Sequence, residues 1–213
     1  MTPTEHDRLL SGANTLGVLL TDEAILKLVA LLDLLAKWNS VYNLTALRTR
    51  DEWIALHLFD SLSLAPHVQG ERVVDVGCGP GFPGLPVAIA KPHQHWTLVD
   101  SNQKKTAFAA QAVAELALQN VDVRQSRIES FRPTENFDAV VSRAYSSLGD
   151  FVRTAGHLVK PRGNLIAMKG RLPKDELDAL PKDFLCDRVI PIRVPDVDAE
   201  RHLIFMHHVR NQG

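Results

Sequence analysis

Val73-Val74-Asp75-Val76-Gly77-Cys78-Gly79-Pro80-Gly81-Phe82-Pro83-Gly84 is the stretch whose reading decides the fold. A β-branched run from Arg72 to Val76 favours a strand. It passes directly into residues 77–84, where four glycines and two prolines fall in eight positions. Leu85 to Lys91 then has the composition of a short helix. An ordinary connection between strand and helix does not need so many glycines, which cost conformational entropy and serve where backbone must come close to something else. Strand, glycine-rich turn and helix in this order form a framework for holding a nucleotide.

Downstream of this unit, short apolar runs alternate with helical stretches. The candidate strands are 72–76, 95–100, 121–125, 137–142, 164–169 and 203–209. The candidate helices are 85–91, 103–118, 148–159 and 174–180. Such alternation predicts an α/β domain, a doubly wound and mostly parallel sheet with helices on both faces. Upstream, the first 65 residues read as helices. Ile25, Leu28, Val29, Leu32, Leu35 and Ala36 form one apolar face, with Thr21 placed as its cap. Asp51 is placed to cap a further helix over 52–65, stopped by Pro66. Gln69-Gly70 marks a joint, so the expected organisation is a helical N-terminal extension over 1–70 and a nucleotide-binding domain over 71–213.

In such a sheet, ligands lie beyond the C-terminal ends of the strands, where strand order reverses. Asp100 ends the second strand, and a carboxylate there can accept two hydrogen bonds from a ribose diol. Gly79, Gly81 and Gly84 match the spacing of a dinucleotide fingerprint, but they begin two residues late and enclose Pro80 and Pro83. Proline removes the N–H groups that a diphosphate needs. Asp75, two residues before the first glycine, suits a cationic amine better than a phosphate. These features favour S-adenosylmethionine, a phosphate-free sulfonium nucleoside, over a dinucleotide such as NAD.

Composition bounds the alternatives. Hydrophobic residues are 45% and charged residues 23%, which excludes disorder and coiled coil. The formal net charge of -1 gives no global attraction to nucleic acid, so any polyanion site has to be a local patch. The candidates for that patch are Lys104, Lys105, Arg127, Lys169, Arg171, Arg201 and His202. Trp38, Asn39, Tyr42 and Asn43 read either as RNA-facing or, more economically, as helix-capping and packing residues. Two cysteines, Cys78 and Cys186, provide no disulfide framework and fit a reducing cytoplasm. No stretch has the length and apolarity of a membrane span. No histidine has cysteines or acids at ligand spacing, so no metal is expected.

The order of several short words makes the chain similar to a known family. The words are Trp38-Asn39 with Tyr42-Asn43-Leu44-Thr45; His57 with Asp60-Ser61; Asp75-Val76-Gly77 through Pro83-Gly84; Gln125-Ser126-Arg127; Val141-Ser142-Arg143-Ala144; Lys169-Gly170; and Glu200-Arg201-His202-Leu203. Motif I of the class I methyltransferases has the form of the glycine turn. The full set resembles the bacterial 16S ribosomal RNA methyltransferase G family, also called glucose-inhibited division protein B. That resemblance implies a cytoplasmic enzyme that methylates N7 of a guanine in 16S rRNA of the 30S subunit. It also implies cofactor contacts at Gly77, Phe82, Ile128, Glu129 and Arg143, to which the reading of the turn and the second strand adds Gly79 and Asp100. The protein is expected to act as a monomer.

The residues agree with ring-nitrogen methylation without alone deciding it. Guanine N7 carries a lone pair and no proton, so attack needs alignment rather than a general base. No catalytic base is therefore assigned. An Asn/Asp-Pro-Pro-aromatic turn, typical of exocyclic amine methylation, is replaced by Val141-Ser142-Arg143-Ala144. No cysteine has the setting of a nucleophile for cytosine C5. Ribose methylation stays open, because Lys169 ends a strand and can serve as a base. Arg143 and Lys169 are the candidate substrate-positioning residues. Methylation of another RNA site, a protein or a small molecule is the remaining enzymatic alternative, and a cofactor-gated RNA-binding module is the non-enzymatic one.

Overall fold

A computed structural model describes residues 3–209. Seven strands form one sheet in the order β3-β2-β1-β4-β5-β7-β6. They are β1 (Arg72–Val76), β2 (His95–Asp100), β3 (Val121–Gln125), β4 (Phe137–Ser142), β5 (Val159–Lys169), β6 (Phe184–Ile192) and β7 (Arg201–His208). The first five are parallel, and β7 joins β5 and β6 antiparallel. Strand order reverses between β1 and β4, so the C-terminal ends of these two strands flank the position where such a sheet receives a ligand.

The helices are α1 (Pro3–Thr15), α2 (Asp22–Tyr42), α3 over 50–62, α4 (Gly84–Ala90), α5 (Gln103–Glu115), α6 (Leu148–Ala155) and α7 (Lys174–Asp178). Thr21 caps α2 as expected, its hydroxyl accepting the Ala24 N–H at 3.1 Å. The cap of α3 is Thr49, not Asp51. Thr49 and Glu52 exchange side-chain and backbone bonds in a full capping box. Within α3 the residues Ile54–Phe59 make a π-helical turn, and α-helix resumes at Asp60–Leu62.

Two strand expectations change: β5 begins at Val159, five residues before the expected 164–169, and the far edge carries β6, which is absent from the expected set. It carries Asp187, Arg188 and Pro191, a composition that reads as loop. These residues are tolerated because β6 is an edge strand, where a missing N–H faces solvent and charge discourages further pairing. The helix expected over 148–159 ends at Ala155 and tightens into a 3₁₀ turn, Gly156–Leu158, before β5.

One core cluster contains Leu9, Ile25, Leu28, Leu35, Leu58 and Phe59 from the N-terminal helices. The same cluster holds Val73, Leu85, Trp96, Phe108, Val141 and Phe205 from the α/β part. Val74, Val76, Val140, Phe151, Leu165 and Met206 build a second cluster. Arg8 of α1 bridges Asp51 and Asp196, tying both ends of the chain together at the surface.

Candidate functional site

The glycine turn takes its shape from Asp75. This carboxyl is fully buried, and its Oδ2 accepts the Gly84 N–H at 2.9 Å. Its Oδ1 has no partner among the described residues. Burial pushes the carboxyl up to about 7, against the opposing influence of the Gly84 bond and the Arg143 charge. Asp75 therefore braces the loop from beneath and lines neither cleft described below. Gly77 has φ +69°, and a Cβ there would come within 2.9 Å of the Ala144 methyl. The loop is thus held close to the end of β4.

Two adjoining clefts open along the strand ends and share Gly77. The first, about 330 Å³, is lined by Gly77, Asp100, Ser101, Ser126, Arg127, Ile128 and Glu129. Asp100 accepts the Gly79 N–H through Oδ2 and the Asn102 N–H through Oδ1, both at 2.8 Å. It locks the glycine turn and caps the approach to α5, and each oxygen keeps a lone pair for a further donor. Ile128 opens a 3₁₀ turn after β3 and is buried against the sheet, whereas Glu129 is exposed. An apolar wall beside a carboxylate and free loop backbone suits a nucleoside.

The second cleft, about 220 Å³, includes Gly77, Gly79, Phe82, Lys105, Arg143, Leu44, Thr45 and His57. The seven expected cofactor residues thus come together: Asp100, Ile128 and Glu129 on one side, Gly79, Phe82 and Arg143 on the other, and Gly77 between. Arg143 donates through Nη1 to Asp60 Oδ2 at 2.9 Å and to the Leu56 carbonyl at 3.1 Å. Asp60 is itself 4% exposed and also accepts Arg201 Nε at 2.7 Å. The α3 helix therefore aims Arg143 into the cleft and leaves Nη2 and Nε available.

Lys169 stands elsewhere. Its ammonium donates to the Tyr145 and Ser146 carbonyls and pairs with Glu176 at 2.9 Å. It lines neither cleft. An ammonium engaged by three acceptor groups is a clamp on the loop after β4, so the role of base or substrate contact considered for it has no geometric support. The other basic residues divide. Lys105 and Arg127 reach the clefts, Lys104 lies over the Tyr42 ring, and Arg201 and His202 line a separate cavity of about 770 Å³ beside β6 and β7.

Several cleft residues were not expected as site residues from sequence, among them Thr45 and His57 in the second cleft and Ser101 and Ser126 in the first. The Asn39 side chain accepts the Thr45 N–H at 2.9 Å, and Thr45 Oγ1 lies 3.0 Å from His57 Nε2. Asn43 ends α2 in the left-handed region at φ 50°. The Trp38 to Thr45 word thus serves to turn the chain from α2 into the cleft. The Tyr42 ring is half exposed, and Trp38 packs edge-on against Phe108.

The rRNA small subunit methyltransferase G family matches residues 24–204. The chain belongs to that family. It is 48% identical over 196 residues to the ribosomal RNA small subunit methyltransferase G of Nitrosococcus oceani, covering 92% of each chain. It is also 48% identical over 206 residues to that of Pseudomonas paraeruginosa, covering 95% of this chain and 96% of the relative. Among solved structures, a SAM-dependent methyltransferase from Aquifex aeolicus is similar in fold, with a TM-score of 0.55 at 19% identity. That match covers 73% of this chain and 92% of the other. In this small subunit rRNA methyltransferase the expected cofactor residues line the two clefts at the C-terminal ends of β1 to β4.

Proposed function

We propose that the protein transfers a methyl group from S-adenosylmethionine to N7 of a guanine in 16S rRNA. The observation that carries this reading is the convergence of all seven expected residues on two joined clefts in a chain of the methyltransferase G family. The clefts fit the cofactor. One has an apolar wall at Ile128 and a carboxylate at Asp100 for a nucleoside. The other has Arg143 and Lys105 for a carboxylate. Neither needs a diphosphate, and Pro80 and Pro83 remove amide donors from the turn.

When bound, S-adenosylmethionine supplies a methyl carbon activated by a sulfonium leaving group. The chain then has three tasks. Asp100 and the Ile128–Glu129 turn hold the nucleoside, and the loop at Gly77 and Gly79 brings backbone close to it. Arg143, fixed by Asp60, orients the amino-acid end or an RNA phosphate. The narrow second cleft aligns the guanine for in-line attack, where proximity and orientation provide most of the acceleration. Transfer would form one N–C bond at N7 and break one C–S bond, the positive charge passing from sulfur to the purine. N7 bears no proton, so no side chain has to remove one.

The reading includes a cytoplasmic monomer acting on the 30S subunit, since both clefts are built from a single chain. Among the described residues no helix is long and apolar enough to cross a membrane. The test is transfer of labelled methyl from S-adenosylmethionine to 30S subunits and to naked 16S rRNA, followed by mapping of the modified base. Label at a guanine N7 supports the proposal. Label on protein, on ribose or on no RNA would overturn it.

A further inference from the structure

Among the described residues His57 is the one imidazole lining the second cleft, and its surroundings are unusually specific. It sits on the π-helical turn of α3, a geometry that recurs at functional sites because it shifts a side chain out of the ordinary helical register. The side chain is buried, with the residue 7% exposed. Its ring stacks on Phe82, with centroids 4.5 Å apart and planes 16° from parallel. Nε2 is taken up by Thr45 Oγ1 at 3.0 Å, and Thr45 is held in turn by Asn39. Nδ1 is buried and has no hydrogen-bond partner among the described residues. Buried polar atoms are nearly always paired, and an exception on a residue that lines a cleft is one that a ligand can satisfy once a small shift of the ring exposes it.

We propose that His57 Nδ1 accepts a hydrogen bond from the Watson–Crick edge of the methyl-acceptor guanine. This rests on the guanine N7 reading above and adds a base-contacting residue to it. The same cleft already offers Arg143 and Lys105 to a carboxylate, so a neutral imidazole is not needed for the charged end of the cofactor. A neutral purine edge, by contrast, presents N1–H and an exocyclic amine as donors. With the proton on Nε2 and donated to Thr45, Nδ1 is a bare acceptor. Burial and the Arg143 charge hold the ring neutral, against the weaker pull of Asp60. As N7 becomes alkylated the purine turns cationic and its N–H donors strengthen. The bond to Nδ1 therefore tightens toward the transition state, which is the condition for an effect on turnover.

Three substitutions separate this role from a structural one. Asparagine places a polar atom near the Nδ1 position, glutamine places one near Nε2, and phenylalanine keeps only the stack on Phe82. Affinity for S-adenosylhomocysteine by calorimetry, thermal stability, and kcat and KM for 30S methylation are measured on each full-length variant. The wild-type enzyme first has to label guanine N7, which tests the underlying reading by itself. Given that, His57→Asn is expected to stay within about threefold of wild-type kcat, whereas His57→Gln and His57→Phe lose about tenfold or more, the effect of one hydrogen bond. All three keep the S-adenosylhomocysteine Kd within about threefold. The inference is overturned if glutamine restores turnover and asparagine does not, since the Thr45 bond would then be what matters. It is equally overturned if kcat is unchanged in His57→Phe, or if cofactor affinity falls in step with turnover.

Discussion

Single residues at the strand ends hold the loops of the site in place. Asp100, proposed to meet a ribose, fastens Gly79 and Asn102 through its two oxygens. Asp100→Ala should therefore weaken S-adenosylhomocysteine binding by about tenfold or more, measured by calorimetry, because it removes both a charged acceptor and the brace on the loop. Unchanged affinity would remove Asp100 from the site. Asp75 and His57 bring opposite pH dependences. Asp75 is raised to about 7, so its contribution to stability is complete below the ordinary aspartate range near 4 and fades as pH rises through 7. His57 is lowered to about 3, so its contribution is complete above about 6.5 and is lost as pH falls through 3. The two slopes oppose one another between about pH 4 and 6.5. Urea denaturation across this window should show the Asp75→Asn protein losing the descending slope, so that its stability rises more steeply with pH than the wild type does. A pair of superimposable slopes would mean that Asp75 is ordinarily charged in the folded protein.

At the scale of elements, the N-terminal helices are less an appendage than one wall of the site. Helix α3 supplies His57 to the cleft and Asp60 to Arg143, and its start depends on the Thr49–Glu52 capping box. Thr49→Ala should cost about 1 kcal/mol of unfolding free energy, read from chemical denaturation. Sequence reading placed α3 but chose Asp51 as its cap, because Asp, Thr and Ser are near-equivalent caps and only the backbone turn at Thr49 discriminates among them. β1, β2 and β4 are legible because buried parallel strands are nearly continuous apolar runs, whereas β3 is a mostly exposed edge strand that matches its expected bounds without being one. β6 was missed because an edge strand need not look apolar at all.

The whole molecule is held by a shared core and by one buried charge bridge. Leu9, Leu28 and Phe59 belong to the same cluster as Trp96, Phe108 and Phe205, so the hydrophobic core runs across the boundary expected at Gly70. Residues 71–213 expressed alone should fail to fold cooperatively, because they would expose the face those helices cover. A sharp thermal transition for this fragment would contradict that expectation. Asp60 joins α3 to Arg143 after β4 and to Arg201 at the start of β7. Asp60→Ala leaves two arginines without their buried partner and should destabilise the protein by about 3–5 kcal/mol, again by denaturation. A change below about 1 kcal/mol would show that the bridge is solvated and weak.

Local chemistry was enough to specify the glycine turn, its parallel strands, the carboxylate after β2 and the suitability of the turn for a phosphate-free nucleoside. These properties depend on residues near one another in the chain, so their pattern is written in short stretches. The burial of Asp75, the sequestration of Lys169 by Glu176, the Arg143–Asp60–Arg201 bridge and the stacking of His57 on Phe82 unite positions separated by between 7 and 141 residues. Charge state, orientation and exposure are set by what surrounds a side chain. For these groups the surroundings exist only once the helices have closed over the sheet.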